Sequence, residues 1–165
     1  MTTLALSIGS SIDAIRNLRR VRVALLSEFG NIGCSTVYES EAVGFTGDNF
    51  LNLVALTETD LPLSEIVKKL KHIEDILGRD RTQTKFSGRT MDIDILVYGS
   101  ASGAECAMEL PREEINRNAF VLCPLAEMMP DTFHPQTGKS FLQMWLEFDK
   151  SRQKLWPVEF DWTQS

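Results

Sequence analysis

Residues 91–98 read Met91-Asp92-Ile93-Asp94-Ile95-Leu96-Val97-Tyr98. β-branched residues at every second position mark a strand. A strand turns successive side chains to opposite faces, so Met91, Ile93, Ile95 and Val97 share one side while Asp92 and Asp94 share the other. This strand closes a series that can be followed backwards along the chain. Before it comes a helix, with Pro62 in its first turn, a stripe formed by Leu63, Ile66, Val67, Leu70, Ile73 and Leu77, and Gly78 as its stop. Residues 50–58 and 32–40 read as strands, joined by a loop containing Gly44 and Gly47. Ile12, Ile15, Leu18, Val21 and Leu25 recur at helical spacing up to Gly30, after a first strand over Leu4–Ile8. The order is β, α, β, β, α, β. It predicts an α+β fold of ferredoxin-like type, an antiparallel sheet with helices packed on one face and a ligand site on the other side.

Beyond the closing strand a turn at 99–103 leads to a short strand near 105–109, a largely buried helix over about 118–129 and a short helix over 141–148. The tail 147–165 carries Trp156 and Trp162 and is expected to pack on the body.

The chain has 165 residues, 17 Lys+Arg against 23 Asp+Glu, and a net charge of -6. One domain is the expectation at this length. Nucleic acid and anionic membranes both require a basic face, so neither is an expected partner. An anionic ligand would have to be held by a few local cations or by a metal. Three cysteines without a CxxC spacing, and two histidines, argue against a disulfide framework and an ordinary zinc site. With no secretory or membrane-spanning pattern, the expected compartment is the cytoplasm. The expected state is a monomer, a dimer remaining open.

Asp92 and Asp94, with Cα atoms roughly 6–7 Å apart, would repel one another unless water or a cation intervened. Magnesium commonly takes one or two carboxylates plus substrate phosphates. Arg79, Arg81, Lys85 and Arg89 stand immediately before the two acids, and a polyphosphate needs such cations around a metal. Ser87 and Gly88 give this polar loop freedom to close. A solvated charged loop and an exposed acidic face are the plain alternatives. Asn52 interrupts the apolar face of the 50–58 strand, where it is either satisfied by nearby backbone or placed for a ligand.

The stretch Arg89-Thr90-Met91-Asp92-Ile93-Asp94-Ile95-Leu96 resembles the signature of the 6-hydroxymethyl-7,8-dihydropterin pyrophosphokinase family. Further matches run in order over about residues 4–146: Ile8-Gly9-Ser10, Tyr38-Glu39-Ser40 followed by Gly44, Phe50-Leu51-Asn52, Glu74 with Gly78-Arg79, Ala119-Phe120-Val121-Leu122, Pro124-Leu125-Ala126-Glu127, Pro130-Asp131 and His134-Pro135. The resemblance implies a single pyrophosphokinase-like domain over 1–165 that transfers pyrophosphate from ATP to 6-hydroxymethyl-7,8-dihydropterin and releases AMP, a step of folate biosynthesis. It implies two Mg2+ ions on Asp92 and Asp94, with Arg79 and Arg89 as catalytic residues. Ser40, Val43, Gly44, Asn52 and Phe120 would bind the pterin. Glu74, Arg79, Arg81, Arg89, Ile95 and Arg112 would bind ATP, and Phe86 would cover the closed site.

The departures fall on the triphosphate half. Arg112 stands where the family usually has His, and Asn118 where it has Arg, with Arg117 beside it as a partial substitute. Glu41 and Ala42 replace prolines of the first loop. The leading expectation is a magnesium-dependent diphosphotransferase. The alternative is a catalytically weakened pterin-binding module with a regulatory or partner role.

Overall fold

A computed structural model describes residues 1–41, 49–77, 91–105 and 108–163. Its elements are β1 (Thr2–Ser10), α1 (Ala14–Phe29), β2 (Gly33–Cys34), β3 (Val37–Ser40), β4 (Phe50–Thr59), α2 (Leu63–Ile76), β5 (Asp92–Tyr98), β6 (Gly103–Glu105), β7 (Met108–Leu110), α3 (Glu114–Arg117), α4 (Ala119–Met128), α5 (Phe141–Glu147) and β8 (Leu155–Val158). The main sheet runs β5-β1-β4-β3-β8, with β2 also pairing β4, and every pairing is antiparallel. Its first four strands reproduce the ferredoxin-like order. The short strand expected near 105–109 is a two-stranded hairpin, β6–β7.

One face of the sheet carries Leu4, Leu6, Ile8, Leu53, Ala55, Ile93 and Ile95. These residues pack against Leu18, Val21 and Leu25 of α1 and Ile66, Leu70 and Ile73 of α2. The other face is not bare, as the βαββαβ order alone suggested. Ala5, Val54 and Leu96 form a second core with Val121, Leu122, Leu125 and Ala126 of α4 and Phe141 of α5. The physical reason lies in the strands themselves. Their second-face residues are apolar along half their length, and such surface must be removed from water. The sheet is thus covered wholly on one face and partly on the other.

The tail is tied down at two places. β8 extends the sheet edge by pairing with β3, Trp156 opposite Glu39 and Pro157 opposite Tyr38. Beyond it, Phe160 and Trp162 lie on α1 under the guanidiniums of Arg19 and Arg22, and Arg19 Nε donates to the Asp161 carbonyl at 2.7 Å. Two of the arginines crowded in α1 therefore hold the tail by cation–π contact as well as facing water. Among the described residues no helix is long and apolar enough to cross a membrane.

Candidate active site

Three neighbouring strands change character along the same face. In β1 the second-face series runs Ala5, Ser7, Gly9; in β4 it runs Val54, Asn52, Phe50; in β5 it runs Leu96, Asp94, Asp92. The register places Ser7 opposite both Asp94 and Val54, and Gly9 opposite both Asp92 and Asn52. The apolar half lies under α4, and the polar half is left open at the end of that helix. A cavity of about 230 Å³ forms there, lined by Ser7, Gly9, Asn52, Asp92 and Asp94 from the sheet floor, by Ser40, Glu41 and Phe50 at one side, and by Glu114 and Phe120 above.

Asn52 is only 4% exposed. Its Nδ2 donates to Ser40 Oγ at 2.8 Å and approaches the carbonyls of Tyr38 and Phe50 at 3.4 and 3.5 Å. The amide nitrogen is thus occupied by protein, while Oδ1 lies over Gly9. Phe120 is half-buried in the first turn of α4 and faces the same cavity. That helix is anchored at both ends: at its start Gln153 Oε1 accepts from the Ala119 N–H at 2.7 Å, and Gln153 Nε2 donates to Asn118 Oδ1 at 3.1 Å. Near its C-terminus Glu127 accepts from the Tyr38 hydroxyl at 2.8 Å and from Thr36 N and Oγ1 at 2.9 and 3.0 Å. Burial, reinforced by the Glu127 carboxylate, raises the Tyr38 phenol well above its usual range, so Tyr38 is a fixed donor and not a proton carrier. Cys34 and Cys123 are half-buried thiols, also pushed up by burial, which gives neither the thiolate character of a nucleophile.

Asp94 is half-exposed, and Arg112 reaches its carboxylate at 3.9 Å and that of Glu114 at 3.6 Å. The guanidinium is aimed by its own Nε, which donates to the Ile95 carbonyl at 2.9 Å, and by the Arg112 backbone N–H on the Leu96 carbonyl at 2.9 Å. Arg112 is therefore a local cation at the acidic end of the cavity. Arg117 pairs with Glu113 at 2.5 Å and is exposed.

Two residues expected at the nucleotide have other surroundings. Glu74 is 7% exposed, and its Oε2 accepts from the Ile93 N–H at 2.9 Å. It braces the outer edge of β5, where no further strand pairs among the described residues, so the two acids are held from behind. Ile95 points its side chain into the core under α1 and α2. Alternation demands this, because Ile95 has the parity of Ile93 and not of Asp94. Val43, Gly44, Arg79, Arg81, Lys85, Phe86 and Arg89 lie outside the described residues.

Ser7, Gly9, Phe50, Glu41 and Glu114 line the cavity without having been singled out as binding residues. Ser7 carries the signal used for Asn52, a polar side chain interrupting an apolar strand face. Glu114 carries none, because α3 is a single turn whose placement depends on packing.

The donor chemistry fits a hard cation. Asp92 and Asp94 offer two carboxylates side by side in an open cavity, and among the described residues no third carboxylate, histidine or cysteine joins them to close a coordination sphere. Such a pair fits a magnesium ion, which keeps waters and takes phosphate oxygens.

The model of the 7,8-dihydro-6-hydroxymethylpterin-pyrophosphokinase family matches residues 5–130. The chain belongs to this family. It is 32% identical over 152 residues to the 2-amino-4-hydroxy-6-hydroxymethyldihydropteridine pyrophosphokinase of Synechocystis sp., covering 92% of this chain and 76% of the relative. With the enzyme of the same name from Aquifex aeolicus it shares 36% identity over 138 residues, 82% of this chain and 85% of the relative. The fold superposes on the crystal structure of an HPPK-DHPS chain in complex with substrates, with a TM-score of 0.71 at 12% identity, over 92% of this chain. That alignment spans 46% of the solved chain, so the match is to part of a longer protein. The family's reaction is pyrophosphoryl transfer from ATP to hydroxymethyldihydropterin in folate biosynthesis, and this pyrophosphokinase is accordingly a diphosphotransferase.

Proposed function

We propose that the cavity on the second sheet face is where this pyrophosphokinase joins its two substrates, with the pterin at the Asn52–Phe120 end and the nucleotide phosphates at the Asp92–Asp94 end. The carrying observation is that one cavity of about 230 Å³ is lined by Asn52 of β4 and Phe120 of α4 together with the two acids of β5, β1 lying between the two strands. A flat heteroaromatic ring fits between a buried carboxamide and an aromatic side chain, the carboxamide reading polar ring edges and the aromatic ring stacking. Asn52 is suited to this because Ser40 occupies its Nδ2 and thereby fixes which way the amide faces. Asp92 and Asp94 would hold magnesium, two ions by likeness to the family. When bound, the metal neutralises polyphosphate charge and orients phosphoryl oxygens against the attacking hydroxyl.

The chain's own contribution is positioning. Glu74 and the pairing with β1 fix the strand that bears the acids. Arg112 brings a guanidinium whose present partners are two carboxylates at 3.9 and 3.6 Å, and phosphate oxygens compete for the same donors. Arg79, Arg81 and Arg89, by the family resemblance, supply further cations, and Phe86 the cover. Residues 1–165 are read as one domain acting as a monomer. The test is to incubate the protein with 6-hydroxymethyl-7,8-dihydropterin, ATP and magnesium and to follow AMP. AMP formed only when all three are present is the expected result; folded protein that forms none overturns the reading.

A further inference from the structure

Arg112 stands between two carboxylates. Its Nη2 approaches Asp94 Oδ1 at 3.9 Å and its Nη1 approaches Glu114 Oε1 at 3.6 Å. The base of this side chain is fixed. The Arg112 backbone N–H donates to the Leu96 carbonyl and Nε donates to the Ile95 carbonyl, both at 2.9 Å. Only the outer end of the guanidinium is left to tilt between the two acids. Glu114 is fixed as well, because the turn that bears it closes on Arg112. The Ile115 N–H donates to the Arg112 carbonyl at 3.1 Å, and the Ile115 side chain is fully buried. Glu113, the intervening acid, is committed to Arg117 instead. Among the described residues Arg112 has no carboxylate partner within 4 Å other than Asp94 and Glu114.

Both acids line the cavity, but their surroundings differ. Asp94 shares the open floor with Asp92, in an arrangement suited to a magnesium ion, while Glu114 projects from above. A guanidinium held against Asp94 is a competing cation, and a divalent ion arriving there must overcome its charge. Each of the two contacts is long and partly exposed, so neither holds Arg112 strongly. The balance between them therefore sets how far Asp94 stays open to a metal. The second acid also leaves Arg112 a partner once a metal has taken the first.

We propose that Glu114 is a positioning residue of this pyrophosphokinase. It draws the Arg112 guanidinium away from Asp94, so that a divalent ion can take that carboxylate, and keeps it at the cavity edge for phosphate oxygens. The inference rests on the reading of the Asp92–Asp94 end as the metal and phosphate end. It gives Glu114 no contact with the metal; the residue acts through Arg112.

The experiment is a double-mutant cycle on the full chain. Wild type, Glu114→Gln, Arg112→Gln and the double variant are compared, with thermal melting as the check that each is folded. The quantity read is the free magnesium concentration that gives half-maximal binding of an ATP analogue with methylene in place of the α,β-bridging oxygen. No turnover is involved. Arg79, Arg81, Lys85 and Arg89 are the same in all four proteins, so their charges cancel in the comparison. Glu114→Gln is expected to raise the magnesium requirement about fivefold, the scale of one partly exposed ion pair. In the Arg112→Gln background the same change is expected to move it by less than about twofold, because no guanidinium is left to draw away. An equal rise in both backgrounds overturns the inference, since Glu114 then acts only as a negative charge near the metal. No rise in either background overturns it too. Both results leave the reading of the acidic end standing. Binding of the analogue to wild type with no need for magnesium overturns that reading, and the inference with it.

Discussion

The carboxamide oxygen of Asn52 lies over Gly9, so that a Cβ at position 9 would come within 3.2 Å of it. The two residues are register partners in β1 and β4, and Gly9 needs no unusual backbone angle. The glycine is there for space. Gly9→Ala is expected to push the Asn52 amide by a few tenths of an ångström against its 2.8 Å bond to Ser40. Steady-state kinetics should show a KM for the pterin raised by about tenfold with a smaller change in KM for ATP, the effect of one misplaced hydrogen-bonding group. Unchanged pterin kinetics would remove Asn52 from the pterin site.

Asp94 contributes little to the fold. Its side chain is 43% exposed, and its ion pair with Arg112 is long at 3.9 Å, a class worth about 0–1 kcal/mol. Asp94→Ala should therefore keep the melting temperature within a few degrees while abolishing magnesium-dependent ATP binding in a calorimetric titration. A protein that unfolds instead would mark the acid as structural.

The legible part of this molecule was whatever repeats along the chain. The helical stripe of α2 and the alternation of β5 placed the main elements and put the two acids on one face without reference to tertiary structure. The second helical layer was less visible. A helix such as α4, apolar nearly all round, announces burial but not the surface that buries it. β8 went unread because its four residues include Pro157, and proline is tolerated in a strand only at an edge, where β8 lies. The site followed the same division. Asp92, Asp94, Asn52 and Phe120 converge as the motifs suggested, whereas the supports of Glu74 on Ile93 and Gln153 on Ala119 join residues 19 and 34 positions apart and depend on packing.

Glu74 offers a test of support as distinct from contact. Removing its carboxylate leaves the buried Ile93 N–H without that acceptor, and such a loss costs about 1–3 kcal/mol. Glu74→Ala should lower the denaturation midpoint accordingly, and Glu74→Gln, which keeps an acceptor oxygen, should recover most of the loss. A Glu74→Ala protein of wild-type stability but impaired ATP binding would instead return this residue to the nucleotide.

The Gln153 latch should be visible in the pterin half alone. Gln153→Ala releases the Ala119 N–H and the Asn118 carboxamide together, loosening the turn that carries Phe120. The expected signature is a several-fold rise in KM for the pterin at nearly constant kcat, with Gln153→Glu restoring part of it through the retained acceptor. An equal fall in kcat for both substrates would indicate a general loss of structure.

His134 makes stability depend on pH. It is 1% exposed, its Nδ1 accepts from the Gln136 N–H at 3.1 Å, and its buried Nε2 has no hydrogen-bond partner among the described residues. Burial holds its pKa below the ordinary histidine value. The folded protein therefore binds the proton less readily than the unfolded chain. The resulting stability is fully present above the unfolded value of about 6.5 and is lost as pH falls through the folded value. Asp149 and Asp161 are also depressed, by hydrogen bonds from Ser151 and Thr163, but as carboxylates they act only at more acidic pH. Melting temperatures measured between pH 7.5 and 5 should fall in the wild type. His134→Asn, which keeps an acceptor near Nδ1, should start lower and change less across the same interval. Parallel slopes for the two proteins would show that another group carries the acid sensitivity.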